Sequence, residues 1–295
     1  MTSGFDDALV VDWSAAATPR SGADSCWVAA GSLTSSTAIR TYNPTTRHDA
    51  ARLIDRLLDR SLNRGRRTLV AIDVSFGLPF GAASTLGLEG EGGWKSLWAN
   101  LEARGHDDEQ NKNNRFEVAH QLNVEAGVRC FWGRPIAPAF DQFWSLPVKD
   151  ISVEGLDRNP LPRLRRCELL AGPGVISNWM LVGKGAVGGQ VMTCLPYLER
   201  LRRRLGTGIS VWPFEGLGDT GTDVVLAETW HGLFPWREDR AALRDEAQVR
   251  ATLRALRGLG HEGRGRLLAP DSLMALSPTA RGEVLAEEGW TLGVQ

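Results

Sequence analysis

The sequence predicts an α/β fold built on one mixed sheet, and three observations carry that expectation. Short β-type runs joined by turns open the chain, a segment with apolar residues at helical spacing follows, and then comes TLVAIDVSF, a continuous apolar run. A run of that kind marks a strand buried on both faces. Hairpin-joined strands, a helix and a buried strand together give a sheet whose first members are antiparallel and whose later members are parallel.

In order, strands are expected at Ala8 to Ser14, Ser25 to Leu33 and Thr37 to Tyr42, the first two joined by the turn-rich stretch TPRSGAD. Ala51, Ile54, Leu57, Leu58 and Leu62 place a helix over 47–63, stopped by Asn63 and Gly65. Thr68 to Phe76 is the buried strand. Helices over 84–104 and 115–126 flank the polar run HDDEQNKNN, and residues 130–174, rich in Pro and Gly, read as an irregular insertion. A strand over Ile176 to Val182 leads through the turn GKGAVGGQ into a helix ending at Leu205. Strands at Ile209 to Phe214 and Asp223 to Thr229, then helices at 239–257 and 278–288, complete the chain, with Ser277 as N-cap and Pro278 at the first helical position. The whole chain, 1–295, is expected to form one domain with an insertion subdomain over 82–207.

Composition excludes more than it selects. The chain has 295 residues, a formal net charge of −1 and 42% hydrophobic residues, an ordinary globular balance that argues against wholesale disorder. No apolar run approaches the roughly 18 residues of a membrane span, and the first residues lack the basic and apolar regions of a secretion signal, so no membrane association and a cytoplasmic location are expected. The four cysteines form no CxxC pair and the five histidines no HxH or HExxH pattern, so neither a zinc site nor a disulfide framework is expected. Near-neutral charge argues against a large non-specific nucleic-acid surface.

The chemistry is expected from carboxylates. Asp12 interrupts the strand ALVVDWS and Asp73 the strand TLVAIDVSF. A carboxylate at a strand's C-terminal end has a partner, a metal or a shifted pKa, because burying it alone is costly. On parallel neighbours both emerge at the carboxyl edge of the sheet, where open α/β sheets bind ligands. Glu228 ends a third strand, and Asp245 lies on the next helix; Glu215 in VWPFE rivals Glu228 for the third position. Such a cluster suits two Mg²⁺ or Mn²⁺ ions about 3.5–4 Å apart for phosphoryl hydrolysis. Each of these residues alone also suits a helix cap or an arginine partner.

These residues carry a resemblance. The pieces VVDWSA, AIDVSFGLP, NNRFEVA, FWGRP, RRCE, GAVGGQ, VWPFE, LAETWHGLFP, DEAQV and EEGWTLG resemble the ribonuclease H-like superfamily, and more closely a family of predicted nucleases within it. Some members of that family carry names from molybdopterin-guanine dinucleotide or cobalamin biosynthesis. The resemblance implies a ribonuclease H-like mixed sheet, three antiparallel strands then parallel strands, flanked by helices with a large helical and irregular insertion. It also implies a metal-dependent nuclease with Asp12, Asp73, Glu228 and Asp245 as catalytic metal ligands. Ser75 departs from the pattern, standing where Pro is expected, and the superfamily's helix-borne glutamate has only positional candidates in Asp49, Asp55 and Asp59.

Substrate contacts are expected from Asn114 and Arg115 in NKNNRF, from Arg134, and from Lys184 in the glycine-rich turn, with Trp13 placed to stack a base beside Asp12. Arg165 and Arg166 extend that phosphate wall, although Arg165 also suits Glu168 as an i,i+3 partner. Asn-rich loops serve equally to turn the chain, and the glycines of GAVGGQ to let elements pack closely. His231 is a candidate general acid. Three functions follow: a divalent-metal-dependent phosphodiester hydrolase acting on nucleic acid, a nucleotide-handling enzyme of cofactor metabolism acting on a small nucleotide, or a binding scaffold whose carboxylates are structural.

Overall fold

The computed structural model describes residues 4–149, 161–183, 185–238 and 243–295. Its strands are β1 (Asp7–Asp12), β2 (Trp27–Ser32), β3 (Arg40–Tyr42), β4 (Thr68–Asp73), β5 (Ile209–Trp212), β6 (Val224–Thr229) and β7 (Thr291–Leu292). They form a single sheet in the order β3-β2-β1-β4-β6-β5, with β7 beside β6 at residues 228–229, where β5 has ended. β1–β2 and β2–β3 are antiparallel; β1–β4, β4–β6, β5–β6 and β6–β7 are parallel. An antiparallel opening followed by parallel strands is the arrangement expected from the sequence.

Strand pleating sorts the side chains. Leu9, Val11, Val70 and Ile72 face one layer, with helices α1 (Arg47–Leu62), α3 (Gly93–Arg104), α4 (Arg115–Ala126) and α6 (Gly188–Leu205) packed on it. Ala8, Val10, Leu69 and Ala71 face the other, against α7 (Arg244–Gly258) and α8 (Gly260–Leu267). Three short helices, α2 (Ala82–Thr85), α5 (Arg166–Ala171) and α9 (Asp271–Met274), and the C-terminal α10 (Pro278–Glu283), fill the ends. The helices of the expected insertion, 82–207, share the first core with the sheet.

Local chemistry explains the boundaries. Thr46 caps α1 by accepting the Asp49 amide at 3.1 Å and donating to its carboxylate at 2.9 Å. The expected helix over 84–104 is broken because Gly87, Gly90, Gly92 and Gly93 all take positive φ, which separates α2 from α3. Ser277 caps α10, with Pro278 at its first position. The final helix does not run regularly to 288: residues 284–288 form a wider turn against which the loop after β4 rests. Ile176 to Val182 is not a strand; only Met180 bridges, to Trp132. Among the described residues no helix is long and apolar enough to cross a membrane.

Candidate functional site

Asp12 and Asp73 are register partners at the ends of the parallel strands β1 and β4. By alternation both side chains belong to the α7 face, where Asp245 stands at the start of α7 and accepts the Asp24 amide at 2.7 Å. Burial, then the charges of Asp73 and Asp245, pushes the Asp12 carboxyl well above the ordinary carboxylate range. Asp73 is pushed up to about 7, chiefly by burial and further by Glu228, against the lowering effect of the His231 amide 3.4 Å from its Oδ2. Asp245 is raised as well, burial again outweighing the Asp24 bond. Among the described residues no Lys or Arg forms an ion pair with any of the three; Arg244 acts on Asp12 and Asp245 only at longer range and does not offset their burial. No three His, Cys, Asp or Glu side chains among the described residues converge as a ready-made metal cage.

Glu228 is put to a different use from the one expected. It is buried, and Arg165 holds both its oxygens, Nη1 to Oε2 at 2.8 Å and Nη2 to Oε1 at 2.6 Å. Thr291 Oγ1 donates to Oε1 at 2.6 Å and the Phe76 amide to Oε2 at 2.9 Å. With four donors on two oxygens it has little lone-pair capacity left for an ion. The i,i+3 pair Arg165–Glu168 exists at 2.9 Å, but it turns inward to join Glu228 rather than outward to a phosphate. Ser75 belongs to the same network, accepting from Arg165 Nη2 at 3.0 Å and donating to Asn178 at 2.9 Å, two bonds a proline could not make. Glu215 is exposed and bonds the Val211 amide.

His231 does not suit the role of general acid. It is fully buried, its Nδ1 lies 2.9 Å from Thr252 Oγ1, and burial depresses its pKa to about 3, so the ring is neutral and shielded. Its Nε2 has no hydrogen-bond partner and stands 3.9 Å from Asp73 Oδ2, where the ring backs the carboxylate.

On the opposite face of the sheet lies a cleft of about 480 Å³ between α1 and α6, closed at one end by the loop leading into α4. Three residues expected to touch substrate, Trp13, Asn114 and Arg115, line it. Trp13 packs with Leu9 and Val11 in the α1/α6 core, so the pleat separates it from Asp12 and it cannot stack a base over the carboxylates. Asn114 is spent on the loop, accepting the His106 amide at 2.7 Å and donating to the Arg104 carbonyl at 2.9 Å. Arg47 braces the region: wholly buried, it bonds Asp107 and the carbonyls of Ser14, Ala16 and Asn111. Arg134 pairs with Asp141 at 2.9 Å away from the cleft, Arg166 pairs with Glu283 and Glu288, and Lys184 lies outside the described residues. The glycines before α6 serve close packing: a Cβ on Gly188 would meet the Asn178 carbonyl oxygen at 2.4 Å, and one on Gly189 the Leu181 oxygen at 2.7 Å.

The cleft was not foreseen as a unit, since its walls come from segments at 48–55, 105–118 and 192–204. Only the unusual NKNNRF run pointed toward it. Compared with known proteins, the chain matches no family model, no curated protein and no solved structure.

Proposed function

We propose that the protein is a divalent-metal-dependent phosphodiester hydrolase of the ribonuclease H-like kind, using Asp12 and Asp73 with Asp245 as third carboxylate. The observation that carries this reading is the pair Asp12–Asp73, in register on adjacent parallel strands without a basic ion partner. The strand order, with an antiparallel trio leading into parallel strands, supports it.

The donor set suits Mg²⁺ or Mn²⁺. All three residues offer hard carboxylate oxygens, and each carboxyl is raised from its ordinary value, an electrostatic debt that a cation relieves. The lack of a complete protein cage fits such ions, which commonly rest on one or two carboxylates and take their remaining ligands from water and substrate phosphate. When bound, an ion supplies charge stabilisation at the phosphoryl group and a water of lowered pKa. Asp12 and Asp73 hold the position from rigid strand ends. Asp245, held through Oδ2 by the Asp24 amide, adds the third carboxylate from the start of α7. The Arg165–Glu228 pair and neutral His231 stiffen the floor beneath Asp73.

Asp12→Asn tests this. Mn²⁺ is expected to raise the unfolding temperature of the wild type and not of the variant, and the wild type alone is expected to hydrolyse an oligonucleotide series. Equal metal response and equal hydrolysis in the variant would remove the site. A second reading, a nucleotide-handling enzyme of cofactor metabolism, needs a small substrate at the same carboxylates, which the cleft beside Trp13, on the opposite face of the sheet, does not bring there. A pure binding scaffold predicts instead no response to metal.

A further inference from the structure

The cleft between α1 and α6 has features that the carboxylate site does not explain. Arg115 lines it from the first position of α4. Its Nη1 donates to Asn113 Oδ1 at 2.8 Å, its guanidinium lies 4.5 Å from the Phe116 ring centroid, and its buried Nε has no partner. Among the described residues no carboxylate forms an ion pair with it and its Nη2 makes no hydrogen bond. Burial, then the charge of Arg47, lowers its pKa to about 10, so the guanidinium stays charged while poorly compensated.

The rest of the lining has the same sign. Arg52, Arg200 and Arg204 join Arg115 in the walls, against Asp55 and Asp107. Both aspartates are already engaged: Asp55 with Arg204 at 2.7 Å, and Asp107 with Arg47 and the Tyr197 hydroxyl. Arg200 lies over the Tyr197 ring at 4.5 Å and reaches Glu102 only at 3.7 Å. Arg52 is engaged by Asp49 at 2.8 Å and Arg204 also by Asp59 at 2.9 Å, so the cationic capacity left over in the cleft is that of Arg115 and the loosely held Arg200.

Its floor is apolar and aromatic. Trp13 and Tyr197 have ring centroids 5.3 Å apart, and Trp13, 1% exposed, has an indole N–H without an acceptor. His48 Nε2 faces the Asp107 carbonyl at 2.8 Å and so donates to it, which in the neutral ring leaves Nδ1 as an acceptor. An anion-seeking guanidinium, an apolar aromatic floor and an imidazole acceptor in about 480 Å³ match a flat amino-bearing heterocycle carrying a phosphate.

We infer that this cleft binds a mononucleotide, with Arg115 on the phosphate and the base on the apolar wall beside Tyr197. Because the carboxylates lie on the other face of the sheet, this site stands or falls independently of the hydrolase reading. Phosphate capture adds no strain at Arg115: an anion restores its missing countercharge at a helix N-terminus, where negative charge is favoured.

Calorimetric titration with adenosine 5′-monophosphate, adenosine and inorganic phosphate tests the inference on wild type, Arg115→Met, Arg200→Glu and Asp12→Asn. Adenosine monophosphate is expected to bind saturably and adenosine much more weakly. Arg115→Met is expected to lose roughly tenfold or more, the worth of one charge-assisted contact. Arg200→Glu, at a half-exposed rim position, is expected to weaken binding, and Asp12→Asn, titrated in chelator so that no metal links the two faces, to leave it unchanged. Absence of saturable binding in the wild type would overturn the inference. So would full affinity in both arginine variants, or a loss confined to Asp12→Asn, which would place the nucleotide on the carboxylates.

Discussion

Replacing Asp73 by asparagine removes one charge from a pair of carboxylates that face each other across adjacent strands. The shape is preserved, and the Asn oxygen can still accept the His231 amide. In the wild type this carboxyl titrates at about 7, against about 3.9 in an unfolded chain. Between those values the folded protein holds a proton that the unfolded chain has lost, so stability falls as pH rises and the full penalty is reached above pH 7. The ceiling is about 4 kcal/mol at 1.36 kcal/mol per pKa unit, and solvent at a side chain that is 26% exposed lowers it to about 2–4 kcal/mol. Of the other groups facing the site, Glu228 is held by Arg165 and His231 stays neutral, while Asp12 and Asp245, both raised by burial, also lose protons as pH rises and leave the variant curve a residual fall. Asp12 shares the relief, since Asp73 is the charge that raises it most. For 295 residues the unfolding entropy is about 0.6 kcal/mol per kelvin, so at pH 8 with chelator present the variant should melt about 3–6 °C above the wild type. Scans from pH 4 to 8 should show a falling wild-type curve and a flatter variant curve. Parallel curves, or a variant that melts at or below the wild type at pH 8, would refute the claim that Asp73 is ionised at a cost.

Glu228→Gln should lower stability by about 3 kcal/mol, roughly 5 °C, by weakening a buried charge pair, while the Mn²⁺ response persists. An unchanged melting point with a lost metal response would return Glu228 to the list of ligands. Gly77→Ala should destabilise by about 3 kcal/mol or more in urea titration, because the added Cβ would stand 2.0 Å from the Glu287 carbonyl oxygen, a backbone atom that cannot move aside cheaply. A loss below about 1 kcal/mol would show that the turn at 284–288 yields.

The sheet was legible in the sequence because its strands obey simple rules. β4 and β6 are apolar runs buried on both faces, and α1 has both a helical period and a threonine cap. Helix α4 spans 115–126 as expected. What escaped were elements decided by tertiary contact. β7 is two residues long and exists only because β6 outruns β5, leaving an open edge at Glu228 and Thr229. The GAVGGQ turn serves close packing, yet the preceding apolar stretch is loop, because it packs on the first glycines of α6 and bridges only from Met180 to Trp132 instead of joining the sheet. The carboxylates Asp12, Asp73 and Asp245 were legible as charges in or beside apolar segments. Glu228 carried the same signal and means something else, since its partner Arg165 lies 63 residues away and no local pattern announces the pair.

The division between the two candidate sites follows from a single peptide unit. Asp12 and Trp13 are neighbours, and their adjacency suggests one site in which a ring stacks beside a metal. A strand with a period of two sends them to opposite faces. Asp12 goes to α7, where Arg244 only partly offsets its charge, and Trp13 to α1 and α6 beside Arg115, with which no carboxylate among the described residues forms an ion pair. On the two proposed readings, opposite charges on opposite faces select different ligands, a cation for one and a phosphate for the other. The loop after β1 joins them: Arg47 grips the carbonyls of Ser14 and Ala16, and Gln190 at the start of α6 donates to the Trp13 carbonyl at 2.6 Å. A ligand that shifts α6 therefore pulls directly on the strand end bearing Asp12. If the cleft is occupied as inferred, mononucleotide should change the Mn²⁺ affinity of the wild type, and Mn²⁺ should change nucleotide affinity by the same factor. Independent binding, each ligand titrating identically with and without the other, would show that the loop transmits nothing and that the two faces act alone.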